Sequence, residues 1–115
     1  MTTSQALQAR INELVIRSKD MALMTREQLF DIIAELVFLS NELINFCRDL
    51  DGAIAKAEAE AFDMAASNKM NASLTALAVK RATAPFKADK EWAGKQNSLL
   101  TDIRIAALAA QRSAE

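Results

Sequence analysis

The side chains that could do chemistry are few, and most of them are basic. Lys80, Arg81, Lys87, Lys90 and Lys95 gather around Phe86 and Trp92. Positive charge interleaved with aromatic rings can hold a single-stranded nucleic acid, lysines neutralising phosphates while bases stack on the rings. A plainer reading competes with it. Phe86 and Trp92 are also spaced to join an apolar helix stripe with the lysines as its solvated flank, and Asp89 and Glu91 dilute the positive field. The chain has no histidine, and Cys47 is its one cysteine. A disulfide framework, a His/Cys zinc site, an E-x-x-H di-metal site and histidine-based catalysis are therefore excluded. Cys47 falls on an apolar seam, where a small buried hydrophobe is expected and not a nucleophile. Paired carboxylates for acid–base work need a shared, partly desolvated pocket. Glu58 and Glu60 point to different helix faces, and Asp49 and Asp51 sit at a turn-prone stretch. There is no Gly-rich phosphate loop. These absences predict a non-enzyme with no cofactor, no metal site and no small-molecule substrate.

The elements that must position these residues are helices. The chain has 115 residues, enough for one domain, with 2 glycines and 1 proline. A many-stranded β domain needs far more turn residues. Apolar residues make up 51% of the chain, but alanine accounts for 23 of them. No apolar run approaches the ~20 residues of a membrane span, and the N-terminus lacks the plan of a signal peptide. The expectation is an all-α, cytoplasmic protein that makes no membrane contact. Large apolar side chains crowd between Ser4 and Leu50, and alanine dominates after Asp51. Charge is graded as well, with a net of +2 over residues 1–19, −7 over 20–65 and +4 over 66–115. An acidic middle and a basic end invite antiparallel pairing, within one chain or between copies.

Helix boundaries can be read locally. Thr2 with Gln5, and Thr25 with Gln28, have the capping-box spacing; Met24 and Leu29 occupy the staple positions around the second box. A short helix is predicted over 1–20, a long one over 25–82 that either breaks near Gly52 or runs through it, and a last one over 84–112. Continuous over 25–82, the long helix would measure on the order of 85 Å. Ser67–Asn71 is the other place where it could be interrupted. Pro85 marks either a kink or the first turn of the last helix, with Thr83 as candidate cap. Leu29, Ile33, Leu36, Leu43, Cys47 and Leu50 lie on a line stepping by 3 and 4 through Ser40, which is a coiled-coil seam. Phe30, Val37 and Ile44 flank it on one side, and Ile32, Leu39 and Phe46 on the other, so the face is wide enough for at least two further helices. The last helix carries Trp92, Leu99, Ile103 and Ala106 on one stripe, with Leu100, Ala107 and Leu108 widening its face. The architecture expected is a single domain of long amphipathic helices, a helical hairpin or coiled-coil-like bundle completed by self-association through the 29–50 seam.

One resemblance adds to this. Ala55-Lys56-Ala57-Glu58-Ala59-Glu60, the alanine- and lysine-rich run over 76–95, and the ending Leu108-Ala109-Ala110-Gln111-Arg112-Ser113 resemble small helical phage accessory proteins encoded among early recombination and replication genes. The resemblance covers residues 53–113. It implies a phage origin and an accessory role around DNA metabolism in the host cytoplasm, and it carries over no catalytic residue. The leading expectation is a self-associating helical protein that binds macromolecules in DNA recombination or replication. The alternatives are an anti-defence inhibitor that occludes a host nuclease or sensor, and a purely structural assembly protein. Nucleic acid or a host or phage protein is then the expected partner.

Overall fold

A computed structural model describes residues 3–113. The chain forms α1 (Thr3–Arg17), a single 3-10 turn (Met21–Leu23), α2 (Arg26–Ser67) and α3 (Ala72–Ser113), with no strand among the described residues. The all-α class is the one the composition predicts, and α2 and α3 pack as a helical hairpin. The capping box at the start of α2 is formed. The Thr25 N–H donates to Gln28 Oε1 at 2.9 Å, and the Gln28 N–H donates back to Thr25 Oγ1 at 3.2 Å. The companion box at Thr2 lies outside the described residues.

The helix expected over 25–82 ends at Ser67, and Gly52 is helical. The stop is made by local chemistry without glycine or proline. Lys69 adopts a left-handed φ of 53°. This lets the Met70 N–H reach Ala65 O at 3.0 Å and the Lys69 N–H reach Ala66 O at 3.2 Å, the paired bonds of a Schellman close. Asn68 Nδ2 caps Met64 O at 2.8 Å. Asn71 then opens α3, its Oδ1 accepting from the Leu74 N–H at 2.9 Å. The separate last helix expected over 84–112 is likewise corrected, since α3 is unbroken from Ala72 and contains Pro85. Thr83 is not a cap. It is buried, and its hydroxyl donates to Val79 O at 2.9 Å inside the helix.

One domain was expected, but the chain divides into two compact units: residues up to 45 with those from 94 onward, and residues 46–93. The reason lies in side-chain size. In the first unit, α1, the start of α2 and the end of α3 bring together Leu7, Ile11 and Leu14, then Leu29, Ile32, Leu36, Leu39 and Leu43, then Leu100, Ile103 and Ala107, all buried. Arg10 ties α1 to α2. Its guanidinium lies 4.6 Å from the Phe38 ring centroid and reaches Glu42 at 3.1 Å and Glu35 at 3.5 Å. The second unit is a hairpin with a much thinner core, in which Leu50, Ala61, Ala65, Thr83 and Ala93 are the buried residues.

The seam expected to join copies is filled from within. Leu29, Leu36, Leu43 and Leu50 are buried inside the chain's own units, while Ile33 and Cys47 are half-buried. The 3-and-4 periodicity marks a face that must be covered but does not say by which chain, and here the chain's own helices cover it. The face expected on the last helix narrows. Ala93, Leu100, Ile103 and Ala107 point inward, leaving Leu99 and Ala106 exposed.

Candidate functional site

The hairpin of the second unit decides what the basic segment can do. α2 and α3 run antiparallel through it, as two long-range contacts establish. Near its open end Phe46 and Trp92 meet edge to face, with ring centroids 5.7 Å apart and planes at 82°. One turn on, Lys90 Nζ donates to Asp51 Oδ1 at 2.7 Å. That hydrogen bond and the neighbouring carboxylate charge raise the Lys90 pKa above the ordinary lysine value. A lysine so held adds stability that is complete below the ordinary lysine range and is lost as pH climbs through the raised value. Both partners are largely exposed, so the contribution is small.

The basic residues singled out from the sequence therefore separate. Lys90 is engaged by Asp51. Trp92 is half-buried and packs on Phe46, a joint in the hairpin and not an open stacking platform. Lys95 belongs to the first unit. Arg81 is exposed but lies 100° around α3 from Lys80. Phe86 lines a different groove, on the opposite side of the hairpin.

Lys80 and Lys87, seven residues apart and so on one helix face, stay together. They line a groove of about 610 Å³ with Ala72, Thr75, Ala76 and Val79 of α3, Met70 of the turn, and Phe62 of α2. Phe62 is 54% exposed. The groove thus has two ammonium groups on one wall and an accessible aromatic ring on the other, with small and apolar side chains between them. Phe62 was not among the residues the sequence suggested, because it lies on the other arm of the hairpin. Placing the turn at 68–71 sets Phe62 level with Leu77, one turn short of Lys80, which brings the ring to the start of the lysine-bearing stretch of α3. Among the described residues, no group of three or more metal-ligating side chains comes together, and no helix is long and apolar enough to cross a membrane.

Truncating Trp92 separates the two roles considered for it. Trp92→Ala should lower stability by about 2 kcal/mol, below the cost of a fully buried tryptophan, because the ring is half-exposed. The wild-type tryptophan emission should not change when single-stranded DNA is added. Quenching by DNA together with unchanged stability of the alanine variant would show that the ring is a stacking platform after all.

Compared with protein-family models, with curated proteins and with solved structures, the chain matches none.

Proposed function

We propose that this chain is a non-enzymatic binding protein that holds a single-stranded nucleic acid in the hairpin groove lined by Phe62, Lys80 and Lys87. One observation carries the reading: two lysines on one helix face share a groove with a half-exposed aromatic ring contributed by the opposite helix. Lysine ammonium groups neutralise phosphates and an aromatic face accepts a base whatever its sequence, so the expected binding is weakly selective and strongly salt-dependent. The setting, an accessory step of phage DNA recombination or replication, rests on the resemblance of residues 53–113. Cytoplasmic residence belongs to the same reading.

The test is fluorescence anisotropy with a labelled oligothymidylate at several salt concentrations. Two phosphate contacts on a single strand should give a log–log salt slope of about −1.4. Lys80→Gln with Lys87→Gln should remove that slope, and Phe62→Ala should weaken binding by ~1–3 kcal/mol. Lys90→Gln should change little, since its charge is engaged by Asp51. Wild-type protein that fails to bind at low salt, or a double variant that binds unchanged, would defeat the proposal.

A second reading is favoured by a different surface. Phe30, Val37 and Ile44 are all exposed along one line of α2 in the first unit, a stripe of large apolar side chains of the kind that contacts proteins. On that reading the chain occludes a host or phage protein, as an anti-defence inhibitor would. Charged substitutions at Phe30 and Ile44 would abolish such a function and leave oligothymidylate binding intact.

A further inference from the structure

The second unit is a two-helix hairpin with little core. Its buried residues are one leucine, three alanines and a threonine, while Phe62, Met64, Leu74 and Leu77 are all exposed. Two helices held by alanines bury too little apolar surface to be stable on that account alone. The face opposite Lys80 and Lys87 carries a second groove, of about 500 Å³. Ala53, Ala57 and Ala61 of α2 and Ala78 and Ala82 of α3 form its floor, Met64 and Phe86 its ends, and Lys56 and Glu60 its charged rim. Among the described residues neither Lys56 nor Glu60 takes part in an ion pair.

We infer that this groove is the docking surface for a second copy of the chain, with the α2 segment of each copy lying antiparallel in the groove of the other. The charge pattern selects this occupant and this direction. Lys56 and Glu60 are one helical turn apart on one rim, so a two-fold axis at residue 58 brings Lys56 of one copy beside Glu60 of the other, and the reverse. Each rim then meets its complement twice. A parallel arrangement would set Lys56 against Lys56 and Glu60 against Glu60. The apolar residues agree with the same axis. Met64, 50% exposed, falls opposite Gly52 of the second copy and next to its Ala53, a large side chain over small residues at each end of the contact. Alanines between them permit the close interaxial approach, near 8 Å, that small residues allow. A two-fold contact of this kind uses one patch on both copies and closes on itself, giving a dimer and not a fibre.

The inference is independent of the nucleic-acid reading. Met64 and Phe62 are two residues apart, and Lys80 and Lys87 lie well around α3 from Ala78 and Ala82, so the dimer face and the lysine groove are on opposite sides of the hairpin. A dimer formed this way leaves both copies of the lysine groove open. It also moves self-association from the 29–50 seam, where the leucines are spent on the chain's own core, to a face whose groove and charges are unused.

Static light scattering of the full chain from micromolar to millimolar concentration tests it. Wild type should approach about twice the monomer mass of 12.6 kDa. Lys56→Glu and Glu60→Lys each replace two attractive pairs by two repulsive ones, and each should weaken dimerisation by at least roughly tenfold. Both positions are exposed or at a rim, so helicity by circular dichroism should stay at the wild-type level. Two rescues are then expected. The double variant Lys56→Glu, Glu60→Lys should dimerise as wild type does. An equimolar mixture of the two single variants should form a heterodimer, because one copy then supplies both carboxylates and the other both ammonium groups. Wild type that stays monomeric throughout overturns the inference and leaves the groove to a different partner. Single variants that dimerise like wild type, or a mixture no heavier than its components, overturn it equally. None of these outcomes depends on oligothymidylate binding, so the two proposals fail separately.

Discussion

A protein carrying Leu36→Lys together with Leu43→Lys is expected to lose its cooperative unfolding transition and much of its helicity. Leu36 and Leu43 are 1% and 2% exposed within the first unit, each one turn from Leu39, on either side of it, on the same inward face of α2. Removing a buried leucine costs roughly 2–5 kcal/mol for lost burial and the space left behind. A lysine in its place must also either leave its ammonium group in an apolar interior or drag the helix outward to reach water. Two such changes in one core rival the whole stability of a small domain, about 5–15 kcal/mol. Thermal melting followed by far-ultraviolet circular dichroism would read the loss directly. The alternative has a distinct signature. If this seam joined copies and not helices of one chain, the double variant would keep its helicity and melting temperature while its mass by light scattering fell. That result would overturn the assignment of these leucines to the internal core.

Pro85→Ala is expected to act in the opposite direction. Pro85 is inside α3, fourteenth of its 42 residues, and its surface is exposed. It has no N–H to give to the carbonyl of Arg81, and its ring presses on that carbonyl. Relative to alanine, proline in a helix interior costs roughly 3 kcal/mol. Nothing packed is lost on replacing it, since the side chain faces solvent. The variant should gain most of that difference and melt higher by on the order of 10 °C. An unchanged or lower melting temperature would mean that the helix around residue 85 relies on proline for something its fold does not reveal. Pro85 also lies between Lys80 and Lys87, so the stabilised variant should be carried into the anisotropy measurements. A more stable protein that binds oligothymidylate less well would show that the proline is retained for the spacing of those lysines.

What was legible in the sequence was the chemistry that acts over a turn or two. The Thr25–Gln28 box needs only its own four residues, and it forms as the spacing predicts. The inward face of α2 follows from its 3-and-4 period. The pairing of an acidic middle with a basic end appears in the chain as Asp51 against Lys90. The stop at 68–71 was harder to see. Asn68 and Asn71 supply the caps, but the left-handed residue is Lys69, where glycine would have announced the turn. The apolar face of the last helix was read too broadly: Leu100, Ile103 and Ala107 are buried, while Leu99, Ala106 and Leu108 are exposed. Alanine lies on several faces of that helix, and a residue at home both inside and outside cannot mark which face turns inward.

By itself, then, the sequence determined that the chain is helical, where α2 begins, which line of α2 residues must be covered, and that no histidine chemistry is available. Each of these depends on composition or on residues within a few positions of each other. Only the tertiary structure decided what covers the seam, which basic residues act together, and which aromatic ring joins them. Those depend on pairs such as Asp51 with Lys90, and on the groove that brings Phe62 to Lys80 and Lys87. Contacts across a hairpin are set by where the turn falls and how each helix is rotated. Both were under-determined here, because the turn lacks glycine and proline and the helices are rich in alanine.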